Sequence, residues 1–139
     1  MACPYFLPLE RFHGWEPAAV LPLGDAWSGT CQVQADCSYQ PGDPELKESC
    51  NFGYARGRCA RFPREDGPDA VRFAVRGQDA GEIRLLWVRE ADHRPFDHGS
   101  LAYSIAGDKF NPLPSGPIFE KQARAYIQSY LRRKARARK

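Results

Sequence analysis

The chain has 139 residues, 42% of them hydrophobic, with three Trp, six Tyr and eight Phe. That length and composition predict a single domain, 1–139, with a core of its own, and the lack of any run of ~18 apolar residues excludes a membrane-spanning helix. The net charge of +3 is unevenly spread: Arg132, Arg133, Lys134, Arg136, Arg138 and Lys139 lie in the last eight residues, and with those six removed from the 20 Lys and Arg, acidic residues outnumber basic ones 17 to 14.

The start, Met1-Ala-Cys-Pro-Tyr-Phe-Leu-Pro, lacks the basic region and long apolar run of a secretory signal. The expected setting is therefore cytoplasmic and reducing. In that compartment, clustered cysteines serve as metal ligands or catalysts more often than as disulfides.

In chain order, residues 1–68 contain all five cysteines and show little periodicity, so they are expected to be loop-rich with short helical turns. One such turn is marked at Asp43-Pro44-Glu45-Leu46-Lys47-Glu48-Ser49-Cys50. Asp43 suits the N-cap, Pro44 the first helical position, and Gly53 the left-handed residue that closes the helix. Cys50 then sits in the last turn of a capped helix.

Residues 69–110 read as antiparallel strands. Val71, Phe73 and Val75 alternate with Arg72, Ala74 and Arg76, and after 77–81 the pattern resumes with Ile83, Leu85 and Trp87 on one face. The five-residue connection predicts a hairpin. Leu101, Tyr103 and Ile105 supply a third strand over Ser100–Ala106, completing a meander. Residues 115–134 form an amphipathic helix, with Ser115 or Gly116 as cap and Pro117 in the first turn. Its stripe of Phe119, Ala123, Tyr126, Ile127, Tyr130 and Leu131 would pack on the hairpin. Residues 135–139 are a basic tail. The fold class predicted is α+β.

Chemistry concentrates in Cys3, Cys31, Cys50 and Cys59. Between them lie 27, 18 and 8 residues, and no CxxC pair occurs. The paired cysteines of zinc knuckles sit on tight turns. An iron–sulfur cluster spreads its thiolates more widely and accepts ligands from distant loops. Tyr5, Phe6, Phe52 and Tyr54 are expected to shield the centre from water. Arg56, Arg58, Arg61 and Arg64 are expected to offset its charge and lower the thiol pKa values.

Cys3-Pro4-Tyr5-Phe6, the stretch Pro22-Leu23-Gly24-Asp25-Ala26-Trp27-Ser28-Gly29-Thr30-Cys31, and Cys50-Asn51-Phe52-Gly53-Tyr54-Ala55 with Cys59 carry the motifs CPYF, PLGxxWxGxC and CNxGYAxxxC. In these the first half of the chain resembles a group of small bacterial proteins to which no activity is attached. The resemblance implies that these four cysteines, and not Cys37, form the ligand set.

The leading expectation is a [4Fe–4S] protein of electron transfer or redox sensing, with a redox protein as partner. The alternative is a structural zinc module that docks to nucleic acid or an acidic partner through Arg132, Arg133, Lys134, Arg136, Arg138 and Lys139. Those cations equally suit the negative pole of the helix end. Asp92-His93 and Asp97-His98 are expected in the loop between the second and third strands, solvent-facing; a thiol enzyme pairing a cysteine with either His is a third reading, which the order of residues does not favour. The phosphate-cradling loop, GxSxG and HExxH are absent.

Overall fold

The computed structural model describes residues 2–13, 21–34, 37–55, 58–63 and 67–137, with the side chains of 34, 37, 136 and 137 excepted. Its class is α+β: two antiparallel sheets and a long C-terminal helix.

The first half, expected as loops with short helical turns, also holds a sheet. Phe6–Arg11 (β1), Trp27–Gln34 (β2) and Cys37–Tyr39 (β3) form a three-stranded sheet in the order β1-β2-β3. Pro8 lies where the β1–β2 register shifts, a place in a sheet where a missing N–H is tolerated. Opposite it, Gly29 lies so close to the Leu7 carbonyl that a Cβ would fall 1.9 Å from the oxygen. Only glycine fits there.

The helical turn after β3 is present with a shifted start. Asp43–Glu45 (α1) begins after Gly42, which takes the N-cap position expected for Asp43, and the Glu45 carboxylate reaches back to accept the Gly42 N–H at 3.2 Å. The chain continues as one π-helical turn, Leu46–Cys50, closed by the Asn51 N–H on the Leu46 carbonyl at 3.2 Å. π-turns recur at functional sites, and here the turn ends on Cys50. Gly53 takes the left-handed φ of 76° that the sequence predicts.

The second sheet is a four-stranded meander: Ala70–Asp79 (β4), Glu82–Ala91 (β5), Arg94–Ser104 (β6) and Lys109–Asn111 (β7). Its strands are longer than the alternation alone predicts, and β7 is an addition. The five-residue connection shrinks to Ala80-Gly81, because Gly77, Gln78 and Asp79 remain paired with Arg84, Ile83 and Glu82. Both turn residues have positive φ, 49° and 79°, and so do Asp92 and His93, at 52° and 59°. Such two-residue turns match the twist of the strands they join. Asp97 and His98 therefore lie within β6, not in a loop.

Pro117–Ala137 (α2) runs three residues beyond the predicted helix and takes in part of the predicted tail. Phe119, Ala123 and Ile127 are buried as the stripe predicts. Phe73 meets Phe119 and Tyr126 at centroid distances of 5.5 and 5.8 Å, and Trp87 meets Phe119 edge-on at 5.0 Å. The buried Phe73 and Phe119 side chains each contribute roughly 1.5–3 kcal/mol from area alone. The N-terminal segment joins the second sheet through a two-way backbone bridge between Ala2 and Val71. That bridge carries Cys3 into the core.

Candidate metal centre

The four favoured cysteines come from four separate segments. Cys3 follows the Ala2 bridge and opens the turn Cys3-Pro4-Tyr5-Phe6. Its N–H donates to the Cys50 carbonyl at 3.1 Å, so the first and third cysteines are tied directly by backbone. Cys31 lies in β2, in register with Phe6 on one side and Tyr39 on the other. Cys50 ends the π-turn. The Cys59 N–H donates to the Ala55 carbonyl at 2.7 Å, and the Cys59 carbonyl accepts from Phe62 at 3.1 Å. All four are free thiols.

Asn51 fixes the Cys50 mount. It is fully buried, its Oδ1 accepts the Trp27 N–H, and its Nδ2 donates to the carbonyls of Trp27 and Leu46, each at 3.0 Å. A buried amide so satisfied holds the end of the π-turn against the start of β2.

Cys3, Cys31, Cys50 and Cys59 border one cavity, which also meets Phe6, Phe62, Tyr39, Glu45 and Arg61. Its water-sized interior volume is about 20 Å³, and its atom-free space is about 360 Å³ when the opening to solvent is counted. Non-bonded contact there admits one or two waters. An inorganic core could enter only by bonding, since metal–sulfur bonds of ~2.3 Å replace contacts of ~4 Å. Among the described residues, no three Cys, His, Asp or Glu side chains converge tightly enough to hold a single ion. Four soft thiol donors around one cavity are the ligand chemistry of an iron–sulfur cluster and of a zinc ion alike.

At the cavity rim the Arg61 guanidinium lies over the Tyr39 ring, 3.4 Å from its centroid. The Tyr39 hydroxyl donates to Glu45 at 2.6 Å. The expectation that arginines would lower the thiol pKa values is corrected. Burial pushes Cys3 up to about 12 and also raises Cys31 and Cys50. Arg61 lowers Cys31, but desolvation outweighs it. Arg58 is exposed, and Arg56 and Arg64 lie outside the described residues. Backbone N–H groups near the sulfurs oppose the burial too, those of Tyr5 and Phe6 lowering Cys3 and that of Val33 lowering Cys31, although the Phe6 N–H donates chiefly to the Cys3 carbonyl at 3.1 Å. N–H groups aimed at sulfur favour its anionic, metal-bonding form.

The aromatic shell differs from the expected one. Phe6 lines the cavity, and Tyr5 packs edge-on to Phe62, 5.5 Å between centroids. Phe52 is exposed at 39%. Tyr54 faces away, stacked on His93 at 4.2 Å and bonded to Glu90. Neither His93 nor His98 borders the cavity, and the side chain of Cys37 lies outside the described residues.

Of the basic end, Arg132 and Arg133 face Asp25, and Arg133 also donates to the Gly24 carbonyl. Lys134 is bonded to Gln78. These three charges are engaged within the molecule. The Arg136 side chain and residues Arg138 and Lys139 lie outside the described set.

Sequence reasoning missed Tyr39, Glu45, Asn51 and Gln122. Gln122 did leave a signal, since a polar residue between Phe119 and Ala123 falls on the apolar stripe. Comparison with known proteins returns no matching family model, no matching curated protein and no matching solved structure. No helix is long and apolar enough to cross a membrane.

Proposed function

We propose that Cys3, Cys31, Cys50 and Cys59 ligate a [4Fe–4S] cluster and that the protein carries or senses single electrons in exchange with a redox partner. The observation that supports this most is the cavity bordered by four free thiols from four distant segments. Bound there, such a cluster supplies a one-electron couple with little rearrangement. The chain's own residues would orient the sulfurs through Asn51 and the Cys3 N–H to Cys50 bond. Phe6 and Phe62 would exclude water from part of the wall, which tunes such centres.

The test is reversible reduction. Protein reconstituted with iron and sulfide under nitrogen is expected to bleach on dithionite and recover on mild oxidation, with a paramagnetic signal in the reduced form. A colourless, redox-silent product that instead retains one zinc per chain would replace this reading with the structural zinc module.

A further inference from the structure

Gln122 stands on α2 at 1% exposure, among the apolar side chains of Phe119, Ala123 and Ile127. Burying an amide there is unfavourable unless its hydrogen bonds are satisfied. Its Nε2 donates to two carbonyls, those of Cys3 and Phe6, each at 2.8 Å. Those carbonyls mark the two ends of the turn Cys3-Pro4-Tyr5-Phe6. Inside the turn Pro4 has no N–H to offer, the Phe6 N–H donates to the Cys3 carbonyl at 3.1 Å and closes the turn, and the Tyr5 N–H lies on the side of the Cys3 sulfur. Hydrogen bonds to ligand sulfurs set the potential of iron–sulfur centres, because they stabilise the more negative, reduced state.

We infer that Gln122 is a positioning residue for the centre: by clamping both ends of the closed Cys3–Phe6 turn it fixes the backbone dipoles around the Cys3 sulfur and so sets the reduction potential. This rests on the cluster reading above. It also makes α2 a mechanical part of the site, since the helix that packs the core is the one that shapes the first ligand's surroundings.

Gln122→Met removes both donors with little change of volume or helix propensity. Ile127→Val, at a buried position on the same helix, is the comparison for lost packing. After reconstitution, Gln122→Met is expected to have a more negative reduction potential than wild type, with Ile127→Val unshifted although both are less stable to heat. Equal potentials in Gln122→Met and wild type overturn the inference. If Gln122→Met does not fold, Gln122→Asn, with its amide on a shorter arm, takes its place with the same expected shift and the same overturning result.

If wild-type protein takes up no iron, the cluster reading fails by itself, and the clamp is decided in the thiol form. Iodoacetamide is then expected to modify Cys3 at least about tenfold faster in Gln122→Met than in wild type or Ile127→Val, two hydrogen bonds no longer opposing local opening. Equal rates overturn the clamp.

Discussion

The side-chain amide of Asn51 pairs with the backbone of Trp27 in both directions, accepting its N–H and donating to its carbonyl at 3.0 Å across 24 residues of sequence. It acts as a strand would, in one side chain. Because all of these groups are buried, each becomes costly once its partner is removed. Asn51→Ala is expected to destabilise the fold by about 3 kcal/mol, the sum of several orphaned groups and a small void. Asn51→Asp should be at least as harmful, since a carboxylate would face the carbonyls of Trp27 and Leu46. Urea unfolding checks both. A cost below about 1 kcal/mol for Asn51→Ala, the worth of one ordinary hydrogen bond, would contradict the role given to it.

Serine at any of positions 3, 31, 50 or 59 is expected to lower iron retained after reconstitution severalfold, because one hard hydroxyl replaces a soft thiolate. Cys37→Ser should retain wild-type iron. Loss on Cys37→Ser with no loss on Cys59→Ser would redraw the ligand set.

Cys3, at about 12, has a thiolate fraction on the order of 10⁻⁵ at pH 7. Metal-free protein should therefore react slowly with iodoacetamide at Cys3 and Cys50. Mass spectrometry after timed alkylation reads this directly. Rapid, selective modification of Cys3 or Cys50 would instead favour a thiol enzyme.

Tyr103 gives part of the alkaline pH dependence, beside Tyr54, also raised to about 12, and the thiols of Cys3, Cys31 and Cys50. Burial, and after it the hydrogen bond to Asp108, pushes the Tyr103 hydroxyl from 10.0 up to about 12. A group whose folded pKa is raised lends stability that is whole below its unfolded value and is lost as pH climbs through the folded one. Stability should accordingly fall between about pH 10 and 12. Tyr103→Phe should make that limb shallower by the Tyr103 share. At the acid end Asp108, lowered by Tyr103 and Arg124, contributes in full above its ordinary carboxylate range and loses this as pH falls through its lowered value. Thermal melts from pH 3 to pH 12 follow both limbs; an identical alkaline slope in Tyr103→Phe would remove Tyr103 from the explanation.

The second sheet and α2 were readable because Val71-Phe73-Val75, Ile83-Leu85-Trp87 and the Phe119–Ile127 stripe carry the periods of half-buried strands and an amphipathic helix. The first sheet was not. Pro8 interrupts β1 at its register shift, and Gly29 sits in β2 because the Leu7 backbone approaches it, not because the chain turns. Both residues read as loop signals when taken singly. The cysteines stood out by chemistry, yet their surroundings did not. Tyr39 and Glu45 look like ordinary strand-end and helix-start residues, and only the fold brings them beside Arg61 at the cavity. The arginine argument failed because counting charges along the chain ignores desolvation, which dominates at Cys3, Cys31 and Cys50.

Iron and acid-labile sulfide, assayed on freshly purified protein handled without oxygen, test the central claim most directly. The account predicts about four of each per chain, as a four-cysteine cubane requires. Iron-free, sulfide-free protein, unchanged after reconstitution, would contradict it.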